Sequence, residues 1–153
     1  MKKSFNLKNK KKDFKMYLEI SQRQSGKTTR MINQMYADKN RYDIQIVFGY
    51  SNFYTHRIQN IHISDNLKSC STYESLCEIL DHYCNDHTVK LYVDEFVYMP
   101  EFCNNITHLI KTYRKIVEDG YFTSTPPVTA LGSEAMLKLT NINRNSYLFY
   151  RSL

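Results

Sequence analysis

The sequence contains no long apolar run, no signal-peptide pattern and no internal repeat. A membrane-spanning helix needs roughly 20 consecutive apolar residues, and no stretch approaches that length. The lysine-rich N-terminus is not followed by the apolar segment of a secretory signal. These absences argue against secretion and membrane insertion, so we expect an intracellular protein. A chain of 153 residues without a low-complexity linker is expected to bury one core, in one domain.

No Cys-x-x-Cys pair is present either, although the chain has four cysteines, Cys70, Cys77, Cys84 and Cys103. A zinc site that recruited His82 or His87 would have a spacing that suits no common zinc finger. We therefore expect reduced and mostly buried thiols.

Acidic residues are scarce in residues 1–15, where seven lysines stand against one aspartate. This segment carries a formal charge of +6, equal to the formal net charge of the chain, so residues 16–153 are neutral overall. We expect residues 1–15 to form a flexible basic arm that contacts double-stranded DNA through its phosphates without reading sequence. A solubilising tail is the alternative. The apolar content of 42% and the aromatic content of 14% predict a folded domain over residues 16–153.

Strands and helices are expected to alternate from residue 16 onward. The predicted strands are Met16–Ser21, Asp43–Tyr50, Ile61–Ser64, Val89–Val93, Tyr121–Thr125 and Ser146–Arg151, and the predicted helices are Lys27–Asp38, Thr72–Cys84, Ile106–Val117 and Ser133–Leu139. Such alternation favours parallel pairing through crossover connections. The prediction is therefore an α/β fold with three layers and a mainly parallel central sheet.

A phosphate-binding loop is predicted where the first strand meets the first helix. Its residues are Gln22, Arg23, Gln24, Ser25, Gly26, Lys27, Thr28 and Thr29. Backbone N–H groups at a helix N-terminus bind anions, the lysine reaches the outer phosphates, and the first threonine completes a Mg²⁺ shell. The usual pattern opens with glycine, whereas this chain has Ser21. Gly-Lys-Thr alone is a weak signal, so the prediction depends on the rest of the chain.

A second motif is the apolar strand Leu91–Val93 followed by Asp94 and Glu95. In a Walker B arrangement, Asp94 holds Mg²⁺ through water and Glu95 orients and activates the attacking water. Two adjacent carboxylates at a strand end are costly unless a cation or solvent balances them. An acidic turn at a strand end is the alternative, and the upstream Gly-Lys-Thr favours the nucleotide site.

Hydroxyl side chains end the next predicted strand, at Thr123, Ser124 and Thr125, before Pro126-Pro127. The ends of strands line the ligand crevice of parallel sheets. One of these hydroxyls is therefore a candidate sensor of the γ-phosphate. A strand end closed by a proline turn is the alternative.

Taken together, the three motifs resemble those of viral and phage terminase large subunits, the ATPases of DNA packaging. Residues 22–29, with Arg-Gln before the Gly-Lys-Thr, resemble the family's Walker A, which tolerates loss of the opening glycine. Residues 94–100 resemble its extended Walker B, and residues 122–126 resemble its coupling motif. The motifs occur in the family's order and span residues 16–127.

The resemblance implies a RecA-like P-loop NTPase of the additional-strand, catalytic-glutamate class, with ATP and Mg²⁺ as ligands. It implies that Lys27 binds the β- and γ-phosphates, Thr28 and Asp94 serve Mg²⁺, Glu95 is the catalytic carboxylate and Arg23 stabilises charge during hydrolysis. A salt bridge that shapes the loop is the alternative role of Arg23. The implied partners are double-stranded DNA and a homo-oligomeric ring or other packaging proteins, in the cytoplasm or nucleus of a host cell.

Two departures from the family qualify this reading. The chain ends at residue 153, so we expect no nuclease domain after the ATPase core. The stretch between the two Walker motifs is short, and elements that bind adenine are expected to be reduced. An arginine acting on a neighbouring subunit is a further possibility, with Arg114, Arg144 and Arg151 as candidates.

Three other functions stay open at this point. A nucleoside kinase of the thymidine-kinase type also carries Ser-Gly-Lys-Thr and an Asp-Glu pair, but the opening glycine and a late Cys-x-x-Cys are missing here. A nucleotide-dependent adaptor or switch with slow hydrolysis suits the small size. A structural protein with a decayed phosphate loop is disfavoured, because Lys27, Thr28, Asp94 and Glu95 are all intact.

Overall fold

The computed structural model describes residues 16–49, 58, 61–142 and 147–151, with side chains for all but the last range. The basic arm predicted for residues 1–15 lies outside the described residues. The described strands are β1 (Tyr17–Ser21), β2 (Ile44–Phe48), β3 (Leu67–Cys70), β4 (Val89–Val93), β5 (Tyr121–Ser124) and β6 (Tyr147–Arg151). The described helices are α1 (Lys27–Asp38), α2 (Tyr73–Tyr83), α3 (Pro100–Asn104), α4 (Ile106–Thr112), α5 (Arg114–Glu118) and α6 (Ala130–Asn141), with a 3-10 turn at Phe96–Tyr98.

The six described strands form one parallel sheet in the order β3-β2-β4-β5-β1-β6. Strand β5 therefore lies between β1 and β4, and it pairs with β1 through Tyr17↔Tyr121 and with β4 through Tyr92↔Tyr121. The predicted α/β class and mainly parallel sheet are confirmed. The carboxyl ends of parallel strands meet at one edge, so the segments that follow β1, β4 and β5 lie close together.

Helices cover both faces of the sheet because neighbouring strand residues point to opposite sides. In β4, Leu91 packs into the larger apolar cluster, which contains residues of α2 to α6, whereas Tyr92 packs into the smaller one, which contains Met31 and Met35 of α1. All five residues of β4 are buried, as is usual for a central strand of a parallel sheet.

The C-terminal end of α1 is tied to the sheet by a buried polar network. The Tyr92 hydroxyl donates to Asp38 Oδ2 at 2.8 Å, and Gln45 Nε2 donates to the Met35 carbonyl at 2.9 Å. Burial and the charge of Asp38 raise the pKa of Tyr92 above its usual range, so the phenol keeps the proton that it donates. This network fixes the orientation of α1, whose other end carries Lys27 and Thr28.

Two predicted elements are wrong, and one of them is the strand Ile61–Ser64. Residues 61–64 form a turn and an irregular segment, while the edge strand β3 lies at Leu67–Cys70. In β3 only Leu67 and Cys70 are buried, so its sequence has no alternating pattern to detect. The strand exists because its backbone pairs with β2 from Gln45↔Leu67 to Phe48↔Cys70.

The single helix predicted at Ile106–Val117 is divided in the structure. Helix α4 ends at Thr112 and α5 begins at Arg114, because Tyr113 has φ −125° and ψ 45°. The buried Tyr113 ring packs in the core, and its hydroxyl donates to Asp81 on α2. A tertiary contact therefore interrupts a segment with continuous helical periodicity.

The remaining predicted elements agree with the structure to within a few residues at their ends. Helix α2 begins after Thr72, whose side chain caps the helix by accepting a hydrogen bond from Ser75 N at 3.1 Å. Helix α6 is longer than the predicted Ser133–Leu139, and Thr129 caps its start through Gly132 N at 3.0 Å. None of the described helices is long and apolar enough to cross a membrane.

Candidate functional site

The loop between β1 and α1 turns sharply at two left-handed residues. Gln24 has φ 58° and Gly26 has φ 90°. Glycine adopts this region without cost, whereas a non-glycine residue loses roughly 1–2 kcal/mol. The Gly26 carbonyl accepts from Arg30 N at 2.9 Å, which begins the helical hydrogen bonds of α1. The first turn of α1, whose N–H groups have no partner within the helix, therefore lies at the carboxyl edge of the sheet.

Side chains of α1 and of the segment after β4 meet at this edge. Lys27 Nζ lies 2.9 Å from Glu95 Oε2 and donates to the Gln22 carbonyl at 3.0 Å. Thr28 Oγ1 donates to Asp94 Oδ2 at 2.8 Å, across 66 positions of sequence. The Lys27 and Asp94 side chains are buried, and buried charges are stable only when they are paired or hydrogen-bonded. The structure therefore brings together the two motifs that the sequence predicted would cooperate.

Glu95 is held in a strained backbone conformation by strand β5. Its φ of 52° and ψ of 50° lie in the left-handed region. Non-glycine residues with this conformation cluster at functional sites. Glu95 N donates to Thr123 Oγ1 at 3.0 Å, and Thr125 N donates to Glu95 Oε1 at 3.1 Å. The carboxylate of Glu95 is thus fixed between β5 and Lys27.

The three hydroxyls predicted at the end of β5 differ in what they contact. Thr123 Oγ1 donates to Asp94 Oδ1 and accepts from Glu95 N. Ser124 Oγ donates to the Thr125 carbonyl at 2.7 Å. Thr125 Oγ1 is buried and has no hydrogen-bond partner among the described residues. Of the three, only the Thr125 hydroxyl donates to none of the described residues.

A cleft of about 300 Å³ opens at this edge of the sheet. It is lined by Gln24, Gly26, Lys27, Thr28, Thr29 and Glu95. A buried ammonium and a helix N-terminus on one side favour an anion. The Thr28 hydroxyl and the Asp94 carboxylate are oxygen ligands of the kind that Mg²⁺ prefers. The residues present therefore fit a phosphate chain together with a divalent cation.

The predicted arginines differ in their surroundings. Arg23 is exposed in the loop, and no described residue forms an ion pair with it. Arg114 is engaged, since its Nε donates to Glu118 Oε2 at 2.9 Å and its Nη2 donates to the Ile142 carbonyl at 2.9 Å. Arg144 lies outside the described residues, and Arg151 lies in β6, where side chains are not described.

The cysteines are free thiols, as the sequence predicted. Cys70 and Cys103 are buried, and Cys77 and Cys84 are half-buried. Burial raises the pKa of the Cys70 thiol to about 12, so it stays protonated and inert near neutral pH. Within the part of the chain that the structure describes, no group of three His, Cys, Asp or Glu residues could hold a metal ion.

Sequence reasoning missed one part of the site, beneath the loop. Glu19 of β1 is fully buried, and Arg30 Nε of α1 donates to its Oε1 at 3.1 Å. Ser21, which the motif comparison treated as a departure, donates to Glu19 Oε2 at 2.8 Å. The available signal was a charged residue within the apolar strand Met16–Ile20, followed by an arginine in the first turn of the next helix.

No protein-family model matches the chain, and no curated protein sequence is significantly similar to it. The chemistry and geometry of the cleft are therefore the main basis for inferring the function of this chain.

Proposed function

We propose that this protein is a Mg²⁺-dependent ATPase of the RecA-like P-loop class. The observation that carries the proposal is the 2.8 Å hydrogen bond from Thr28 Oγ1 to Asp94 Oδ2. A hydroxyl from the phosphate loop and an aspartate after a buried strand are the two side chains that hold Mg²⁺ in P-loop NTPases. Their contact places the N-terminus of α1, which favours phosphate, beside the acidic pair, which favours a metal ion and a water molecule.

In this proposal, side chains of the loop and of the acidic pair have separate roles. Lys27 exchanges its contact with Glu95 for oxygens of the β- and γ-phosphates, and the first N–H groups of α1 bind the phosphate chain. Glu95, still held by Thr125 N, accepts a hydrogen bond from the attacking water and orients it. Thr28 and Asp94 would hold Mg²⁺, which would neutralise charge on the phosphate oxygens. Arg23, which has no described ion-pair partner, offsets the charge that develops in hydrolysis.

Strand β5 supports the same proposal. It lies between β1 and β4, and residues at its carboxyl end form hydrogen bonds with both Asp94 and Glu95. Thr123 positions Asp94 and Glu95, whereas the buried and unpartnered hydroxyl of Thr125 is the candidate sensor of the γ-phosphate. The resemblance to terminase large subunits extends the proposal to an ATPase core that acts on double-stranded DNA, in a ring of copies or with other packaging proteins.

The proposal is tested by phosphate release from Mg-ATP by the full chain, with and without double-stranded DNA, alongside the molecular mass in solution. We expect Mg²⁺-dependent hydrolysis that DNA stimulates. Tight ATP binding with slow turnover that DNA fails to raise would favour an adaptor or switch. ATP consumption that requires thymidine would favour a nucleoside kinase. A chain that binds no Mg-ATP would contradict the proposal.

Thr125→Val is expected to have opposite effects on stability and on turnover. Valine removes a buried hydroxyl that lacks a partner, so the free energy of unfolding should rise by about 1 kcal/mol. If Thr125 contacts the γ-phosphate, ATP hydrolysis should slow by roughly threefold to tenfold. Thr123→Val provides the matched comparison, because it removes two hydrogen bonds and should lower stability. Chemical denaturation and steady-state phosphate release measure both effects.

Gly26→Ala is expected to disrupt the loop by backbone strain and by contact. A Cβ at this position would lie 2.9 Å from Arg30 Nη1, on a residue with φ 90°. Arg30 cannot move away freely because Glu19 holds it. We expect the Kd for Mg-ATP to rise by about tenfold or more, as measured by calorimetric titration. Ser133→Ala, on an exposed position of α6, should leave the Kd unchanged.

A further inference from the structure

The first position of the phosphate-loop pattern is Ser21, where the usual residue is glycine. Ser21 is the last residue of β1 and pairs in register with Arg151 of β6. Left-handed φ values among the described non-glycine residues occur at Gln24, His62 and Glu95, so Ser21 has no need of glycine's conformational freedom. Its side chain is fully buried, which gives this position contacts that a glycine would lack.

The Ser21 hydroxyl joins the loop to a buried carboxylate. Ser21 Oγ donates to Glu19 Oε2 at 2.8 Å and lies 2.9 Å from Ser25 Oγ. A carboxylate only accepts hydrogen bonds and a hydroxyl has one proton. The proton of Ser21 is used on Glu19, so Ser25 donates to Ser21. The result is a directed chain of hydrogen bonds from Ser25 in the loop, through Ser21, to Glu19 within the sheet.

The end of this chain is fixed by an ion pair. Arg30 Nε donates to both carboxylate oxygens of Glu19, at 3.1 and 3.2 Å. The hydrogen bond with Glu19 raises the pKa of Arg30, and the guanidinium stays charged. The same guanidinium packs against Gly26, where an added Cβ would lie 2.9 Å from Nη1. Glu19 therefore anchors the loop from two sides, through Ser21 and through Arg30.

We propose that Ser21 is a positioning residue for the phosphate site. Its hydroxyl tethers Ser25, the residue before Gly26, and thereby holds the loop in the shape that directs the N–H groups of α1 at the phosphates. This inference rests on the proposed ATP-binding function. It has an unusual consequence: restoring the glycine of the common pattern at this position weakens nucleotide binding.

The test is the Kd for Mg-ATP of the full chain, measured by calorimetric titration at a temperature where each variant is folded. The tether is removed in Ser21→Gly, Ser21→Ala and Ser25→Ala, and each should raise the Kd by roughly threefold to tenfold. The double variant S21A/S25A should bind no more weakly than the weaker-binding single variant, because both substitutions remove the same hydrogen bond between Ser21 and Ser25. Ser64→Ala is the matched control; its hydroxyl donates to Gln45 Oε1 at 3.0 Å, outside the cleft, and its Kd should equal that of the wild type.

Two results distinguish a tether from general destabilisation: the single variants bind Mg-ATP more weakly, and the effects of the two substitutions on the Kd are not additive. General destabilisation would leave the affinity of the folded protein unchanged. A Ser21→Gly variant that binds Mg-ATP as tightly as the wild type, or more tightly, overturns the inference and leaves the proposed function standing. A wild type that binds no Mg-ATP overturns both. If the Ser21 variants do not fold, Ser25→Thr and Ser25→Ala decide: the hydroxyl of threonine should preserve the affinity, and an equal Kd for Ser25→Ala and the wild type overturns the inference.

Discussion

Glu95→Gln is expected to abolish ATP turnover while ATP binding is retained. Glutamine keeps a side-chain oxygen that can accept the hydrogen bond from Thr125 N, as Glu95 Oε1 does at 3.1 Å. It loses the basicity needed to activate water, and loss of such a group costs about 100-fold or more in rate. It also removes the charge that pairs with Lys27 at 2.9 Å, so Lys27 is released to the phosphates and the Kd should stay equal or decrease.

The measurement is a calorimetric titration with Mg-ATP beside the rate of phosphate release. Glu101→Gln is the matched control, since Glu101 is exposed on α3, and it should leave both quantities unchanged. Normal turnover by Glu95→Gln would show that the catalytic carboxylate is assigned wrongly. Loss of binding would instead show that Glu95 contributes to the shape of the cleft.

Lys27→Ala is expected to remove both binding and hydrolysis. The ammonium is the buried cation of the cleft, and a hydrogen bond to a charged group contributes about 1.5–3 kcal/mol. The Kd for Mg-ATP should therefore rise roughly tenfold to 100-fold, and phosphate release should fall to background. Lys138→Ala on α6, whose Nζ donates to Thr107 Oγ1 at 2.8 Å, is the control outside the cleft. An unchanged Kd for Lys27→Ala would contradict the phosphate site.

The stability of the same variants tests the ion pair itself. Lys27→Ala leaves Glu95 without its cation, and its carboxylate is mostly shielded from solvent, at 20% exposure. The free energy of unfolding should fall, and the double variant K27A/E95Q should recover part of the loss, about 1 kcal/mol. Additive losses in urea denaturation would show that the two side chains do not interact in the folded protein.

The sequence was informative where local chemistry determines local structure. Helix α1 and strand β4 have the predicted bounds, because each combines a clear apolar pattern with a strong boundary signal. Lys27, Thr28, Asp94 and Glu95 were recognisable because a phosphate loop and an acidic strand end are short motifs. Their convergence also followed from the sequence, since parallel strands bring their carboxyl ends to one edge.

The sequence was less informative where a distant contact determines the outcome. Strand β3 depends on backbone pairing with β2, and the break at Tyr113 depends on its contact with Asp81. Neither contact leaves a periodic signal in the segment itself. The three hydroxyls at the end of β5 could not be distinguished in the sequence. In the structure, the hydroxyl of Thr123 donates to Asp94, whereas that of Thr125 has no partner among the described residues.

The sequence by itself determined the α/β class and showed the Gly-Lys-Thr segment and the acidic pair, because these depend on residue types at short, fixed spacings. Only the tertiary structure showed which residues Ser21 contacts. Read along the chain, it is a missing glycine. In the folded protein it is a buried hydroxyl between Ser25 and Glu19, with Arg30 balancing the charge. The reason is physical: a hydrogen-bond network depends on where a strand, a loop and a helix place their side chains in space, and a linear motif records only their order.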